Sequence, residues 1–518
     1  VISWKGSLAN NDEERSEDII RSYGDPRWPV ELGQSGQISS GEGMLGEIIS
    51  AGKGGGAMQL YASSVVLNGI VDVSGGNSIY SPNVQVGGGG SGGSILIVTK
   101  ELSGSGAMIA NGGSAGDYAV SGGGGGGGGG RIAIHHTEVS QFLGNTTTFG
   151  GAGVNLKNSF KYTNGGAGTV YWNSTADGKR RLIVDNNNIV GRAPTVLMKE
   201  TNGAVLKIGD LQVSQGGIFS VVRKSSTGGN GHVYFDEVYG DGTGTIVLNQ
   251  GIFLNASLAG ENLFSLVSWT LKEKSSLHAP SILSIVQTTT SIGGDLFGVQ
   301  DISLGKNSIL SLLSSGSMPA VEFGPAFNPV KNTWIVGNIN VTGGSQIITV
   351  GNATFKAKSL TIGANVSGVT IGVDVPFSIV KVGSDLTIQA TKVLVHATGL
   401  IDGRGGGLQW KGAIANSAKK GGSHGGMGNE NVKEWDASYG HGYYKHPTSF
   451  GTGGGGQYGG GGGGILTVNV DHLQIEGTIT CSGEASIGSN SGGGSGGSVT
   501  LRVKKTFIGG GSAVSRGG

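Results

Sequence analysis

The chain has 518 residues, of which 106 are glycine, with 35 basic and 34 acidic side chains and a net charge of +1. Only 13% of residues are charged, so there is no basic stripe for nucleic-acid binding. No run of 18 apolar residues could span a membrane as a helix, and glycine without a strict period of three excludes a collagen triple helix.

Residues 1–40 read as a polar N-terminal segment, with an acidic run from Asp12 to Asp18. Residues 41–140 form a first glycine-rich array. Met58, Ile95 and Ile132 each open a short apolar run after a glycine stretch, at intervals of 37 residues. A fixed period in that range marks a repeat architecture. The unit is a glycine stretch, an alternating apolar run, a short turn and a second run, as in GGGGSGGSILIVTKELSGSGAMIANGG from Gly87 to Gly113. Ordering glycine costs more backbone entropy than ordering any other residue. The nine glycines Gly122 to Gly130 therefore need dense compensation, which an extended three-per-turn helix supplies by lateral backbone hydrogen bonding.

Residues 141–400 change texture. Short runs such as Arg181 to Asp185, Thr245 to Leu248 and Leu386 to Ala390 alternate with Gly, Asn, Asp and Ser turns. Turn signals recur roughly every 8 to 12 residues. The fold expected is all-β, with parallel β-helix or solenoid-like rungs and ordered polyglycine segments. A β-sandwich array is the alternative. Asp185, Asp210, Asp236 and Asp241 are read as turn residues, where aspartate has a conformational reason to be.

Residues 401–458 are a Gly/His/Tyr-rich connector carrying His424, His441 and His446 with Trp435 and Tyr439, read as surface histidines and not as a metal site. Residues 459–518 form a second, incomplete glycine-rich array, with Ile465 and Val499 offset by 34. The lead-ins match as well, Ser22-Tyr-Gly before the first array and Ser438-Tyr-Gly before the second. The run from Val499 to Val503 is expected to leave an open strand edge, covered by a neighbouring chain or by a continuation of this one.

The single cysteine, Cys481, rules out an intrachain disulfide framework and reads as a small buried residue. No phosphate loop, metal-ligand spacing or catalytic constellation stands out, so neither cofactor nor enzymatic activity is expected. Candidate N-glycosylation acceptors are Asn145, Asn173, Asn255, Asn340, Asn352 and Asn365, all between the two arrays. The candidate assembly surface is Gly122, Gly126, Gly130, Gly459 and Gly464 with Val499, Leu501 and Val503.

The string from Gly87 to Gly113, the nine glycines before Ile132, Gly165-Gly-Ala-Gly-Thr-Val-Tyr171 and the repeat of this order after Gly421 resemble the large glycine-rich extracellular proteins of plants often named ephrin-receptor-like or tenascin-like. The glycine-rich regions are also similar to those of the flagellar-hair (mastigoneme) proteins of stramenopile algae and water moulds. The resemblance implies an extracellular or cell-surface location. The plant proteins carry many cysteines and a membrane anchor, and this chain departs from them with Cys481 alone and no apolar span. The function expected is a structural subunit of an extracellular filament or cell-surface appendage, self-associating head-to-tail. The alternatives are a secreted adhesin or polysaccharide-binding module and, behind it, a β-helix polysaccharide-degrading enzyme.

Overall fold

The computed structural model describes residues 25–36, 51–78, 87–115, 124–138, 140–153, 164–189, 193–199, 206–223, 231–250, 252–255, 263–272, 275–312, 327–328, 333–349, 353–364, 377–407, 449–455, 458–488 and 491–518. Two compact units make up the chain, Val1–Ser268 and Trp269–Gly518. The fold is all-β, built of long parallel sheets in the manner of solenoid rungs. Among the described residues the helix content is one turn, Leu263–Leu266.

In the first unit the strands Ala57–Val66, Ser94–Gly104, Arg131–His136 and Thr169–Ser174 pair in parallel, one after another. The register is Met58 on Ile95, Ile95 on Ile132 and Ile132 on Val170. The 37-residue sequence period is thus the length of one rung. Short strands Ile70–Asp72, Ala107–Ile109 and Asn145–Thr147 form a second parallel sheet. Ile95, Ile97, Leu102, Met108, Ile132 and Ile134 pack as the core of this array. Burying each such side chain stabilises by about 1.5–3 kcal/mol.

Within the first unit the rung direction reverses. Thr169–Ser174 meets Arg180–Asp185 as an antiparallel hairpin, with Tyr171 opposite Leu182 and Val170 opposite Ile183. Residues directly opposite each other share a face. Ile183 therefore lies on the face of the first core, whereas Leu182 and Val184, both fully buried, lie on the other. The strands that follow, Leu206–Ser214 and Gly231–Gly240, are parallel to Arg180–Asp185 and bury that second face through Leu211 and Val213. The core has changed sides of the sheet. Upstream, the same face carries Leu96, Ala133 and Tyr171, aligned in register and buried, so both faces of Ser94–Gly104 and Arg131–His136 are covered.

The second unit is a mainly parallel stack, interrupted by the two-residue strand Phe327–Asn328, which pairs antiparallel with Asp295–Phe297 and with Thr333–Val341. Asp301–Gly305, Thr333–Val341, Ala353–Ile362, Asp385–Val395, Ile465–Ile475 and Ser498–Ile508 pair in sequence. A second sheet runs alongside through Gln346–Thr349, Ser378–Lys381, Gly399–Asp402, Thr478–Thr480 and Ser512–Val514. In Asp385–Val395 the buried residues come in two phases, Leu386 and Ile388 and then Val393 and Val395, with the change of phase around Thr391, which the pairing skips.

The glycine segments are ordered and extended. Gly89 N and Gly92 N donate to Gly125 O and Gly128 O at 3.0 and 2.9 Å. Gly90 N and Gly93 N donate to Gly76 O and Val73 O, each at 2.9 Å, and Ser91 N donates to Gln34 O at 2.8 Å. Three successive residues address three different neighbours, and the next residue returns to the first. That is a three-residue turn of the polyproline II kind, here hydrogen-bonded laterally. The second array repeats it: Gly460 N and Gly463 N donate to Gly492 O and Ser495 O at 3.0 and 2.8 Å, and Gly497 N donates to Cys481 O at 2.7 Å. Of the nine-glycine run, Gly122 and Gly123 lie outside the described residues.

Candidate assembly surface and strap

The terminal rungs position the first candidate surface. Among the described residues, Ala57–Val66 pairs with a strand on one side only, through Ser94–Gly104, and Ser498–Ile508 pairs only with Ile465–Ile475. Val499, Leu501 and Val503 lie on this last strand and are half-buried. Phe507, aligned with the fully buried Leu473, is 63% exposed because no rung covers it. The glycines fall elsewhere. A Cβ on Gly126 would collide with Gly151 O, one on Gly130 with Gly93 O and one on Gly459 with Gly454 O, while Gly464 lies close against Ser384. These four pack against the chain's own backbone, and Gly122 lies outside the described residues.

A second feature escaped the sequence analysis. Residues 25–36 form a strap over the doubly covered part of the first array. Gln34 N donates to Ser91 Oγ at 2.7 Å, and Ser94 Oγ donates to Glu31 O at 2.6 Å. The second array carries the same latch. Thr452 N donates to Ser495 Oγ at 2.9 Å, and Ser498 Oγ donates to Ser449 O at 2.7 Å. Both latches use a Ser-Gly-Gly-Ser sequence, Ser91 to Ser94 and Ser495 to Ser498. That recurrence, together with the matched lead-ins, was the available signal.

At its other end the strap is held by His135. The Trp28 ring stacks on the imidazole at 4.1 Å, and Nε2 donates to Arg27 O at 2.6 Å. Nδ1 accepts from Asn173 Nδ2 at 3.0 Å, so the imidazole is the neutral Nε2–H tautomer with both nitrogens satisfied. Burial pushes the His135 pKa below its ordinary value, opposed in part by the Arg27 carbonyl and by Asp25. Burial also works against the charge of Asp25, but the guanidinium of Arg27, bonded to it at 2.8 and 3.0 Å, more than offsets this and holds the carboxyl low. His136 points to the opposite face, edge-on to Trp172.

A third feature is a polar face on the rungs after the reversal. Arg181 lies 3.7 Å from Asp210 and sits over the Tyr239 ring at 5.0 Å, while the Tyr239 hydroxyl donates to Glu237. Burial pushes Asp210 up, with Glu237 and Asp236 adding to the rise and Arg181 opposing it. Asp210 and Asp236 are therefore strand residues, not turn residues. Asp210 sits in Leu206–Ser214 at a register shift, a bulge that re-aims side chains. Asp185 and Asp241 do serve turns, accepting from Asn187 N and Thr243 N.

Of the sequon asparagines, Asn145 and Asn340 are exposed on strands, Asn255 is half-buried, and Asn173 has its amide nitrogen engaged by His135. Asn352 and Asn365 lie outside the described residues, as do His424, His441, His446, Trp435 and Tyr439. Among the described residues no group of three or more His, Cys, Asp or Glu side chains could hold a metal ion, and no helix is long and apolar enough to cross a membrane. Cys481 is buried, its thiol pushed up to about 12 by burial and by Asp402. Compared with protein-family models, curated proteins and solved structures, the chain matches none.

Proposed function

We propose that this chain is a structural subunit of an extracellular filament or cell-surface appendage, of the flagellar-hair or wall-fibre kind, and that it assembles head-to-tail. One observation carries this reading. In both units successive rungs are held together by parallel main-chain pairing and by lateral hydrogen bonds between glycine segments, an architecture that grows by adding rungs. Open strand edges template association, and contacts between two different surfaces of the same molecule grow linearly when they do not close. In this reading the chain is not an enzyme and its chemistry is that of a building material. Electron microscopy of negatively stained purified protein tests it: fibres with a regular axial repeat are expected, and monodisperse single particles across a concentration series would end it.

A second reading draws on the Arg181, Asp210, Glu237 and Tyr239 face. Aromatic rings beside carboxylates and a guanidinium suit a saccharide, which favours a secreted polysaccharide-binding module. Glycan-array binding that is lost in Tyr239→Ala, from particles that do not polymerise, would move the conclusion to this reading.

A further inference from the structure

A basic stripe runs across the outward face of the second unit, where the sheet turns a corner. In Ala353–Ile362, Asp385–Val395, Ile465–Ile475 and Ser498–Ile508 the pairing skips, in turn, Lys358, Thr391, Asp471 and the pair Lys504-Lys505. The buried residues change phase here, from Phe355 to Leu360 and from Ile388 to Val393, so the skipped side chains stand on the outside of the bend. Around this column Lys356, Lys358, Lys392, Arg502, Lys504 and Lys505 are exposed. Among the described residues the carboxylate that pairs with them is Asp471, 3.0 Å from Lys505 and 4.0 Å from Lys504. One rung before Lys358 the stripe stops at Asp301, whose carboxylate lies against Gly337 and accepts from Asn338 N at 2.7 Å. No run of basic residues in the sequence announces this patch, because separate strands supply its members.

We propose that this stripe binds an acidic polysaccharide, a chain bearing carboxylate or sulfate groups, laid across the rungs. Charge complementarity calls for a polyanion, since one carboxylate stands among six cations. Rungs about 4.8 Å apart put Lys358 and Lys504 about 14 Å apart along the stripe, a span that suits a polymer and not a single ion. Between the cations the outward residues are Gln389, Thr391, Asn469 and His472. These are hydrogen-bonding groups, suited to the hydroxyls that separate the acid groups of a glycan. Nucleic acid fits less well. Single strands are held on aromatic platforms, and none of these outward positions is Phe, Tyr or Trp. A continuous row of phosphates would also run into Asp471. The inference goes beyond the filament reading and shares with it only the extracellular setting.

Binding of the full chain to polygalacturonate and to dextran sulfate tests this, with dextran as the uncharged control. At least one of the two acidic glycans should be bound at about 0.1 M sodium chloride and released at about 1 M, where the screening length falls to about 3 Å. Their relative affinities tell carboxylate from sulfate, and dextran should not bind. Lys356→Gln, Lys358→Gln and Lys392→Gln together should weaken binding by roughly 3- to 100-fold, the loss of three exposed charge pairs. Lys53→Gln, Lys100→Gln and Lys272→Gln together remove the same charge from exposed sites elsewhere and should leave binding unchanged. Equal losses in the two triple variants, or no binding of either acidic glycan, overturn the stripe. Tighter binding of DNA than of both acidic glycans at equal charge concentration overturns the glycan as its occupant. Light scattering of the same protein reads the filament separately. Polymer without glycan binding overturns the stripe alone, and glycan binding by protein that never polymerises overturns the filament alone.

Discussion

At the scale of single residues, the glycine lattice makes the sharpest statement. A Cβ on Gly127 would collide with Gly90 O, whereas one on its neighbour Gly128 would first meet Gly166 O at 3.9 Å. Gly127→Ala should destabilise the first unit by about 1–3 kcal/mol, the range for over-packing a filled interior. Gly128→Ala should be neutral or stabilise by about 0.4–1 kcal/mol, since it only removes unfolded-chain freedom. Thermal unfolding of the two variants checks this, and equal effects would mean the glycines are not laterally packed. The glycine run itself was legible in the sequence. Which of its members face a neighbour was not, because that depends on the phase of a three-fold helix inside a lattice formed from distant segments.

His135 gives a pH prediction on the same scale. Its docked form is neutral, with a pKa below the ordinary value of about 6.5. A group of that kind contributes stability that is present above about pH 6.5 and is lost as pH falls toward the depressed folded pKa, because the undocked imidazole takes up the proton first. The groups around it are Asp25 and Arg27 on the strap and Tyr171 and Asn173 on the neighbouring strand; Arg131 acts on Asp25, and His136, next in its own strand, points to the other face and works against a charge on His135. Hydrogen exchange of residues 25–36 should therefore be faster at pH 5 than at pH 8 after correction for intrinsic rates. His135→Asn should remove the difference, and a wild-type strap equally protected at both pH values would contradict the latch.

At the scale of elements, the rungs Ala57–Val66, Ser94–Gly104 and Arg131–His136 were written in the 37-residue period, and their pairing register follows it. The reversal at Arg180–Asp185 was less visible. Its signal is the Asp177-Gly178 pair between two runs, with Gly178 at φ 70°. In a chain with a turn signal every few residues, one hairpin cannot be told from another rung corner by local sequence. The strap was hidden for a different reason: its partners lie 57 and 63 residues away, and serine has many roles. The structure makes Ser94 specific. It is buried, and its hydroxyl satisfies Glu31 O. Ser94→Ala should cost about 0.5–1.5 kcal/mol, the usual net worth of such a bond. The loss should appear as deprotection of residues 25–36 in hydrogen exchange, while the melting of the rung core moves little. Uniform deprotection of the rungs would show that the strap is part of the core and not a separate latch.

At the scale of the whole molecule, the proposed assembly has a salt signature. Only 13% of residues are charged, and the ion pairs of Asp471 with Lys504 and Lys505 have exposed lysines. Exposed pairs of this kind contribute roughly 0–1 kcal/mol. A contact between copies that continues the rungs would rest instead on main-chain hydrogen bonds, glycine surfaces and apolar side chains. Salt at about 1 M shortens the screening length to about 3 Å and weakens charge contacts only, while apolar burial is insensitive to it or strengthened by it. Sedimentation velocity should therefore show the same polymer distribution at about 0.1 M and about 1 M sodium chloride. Polymer that falls apart in high salt would place the subunit contact on a charged surface instead.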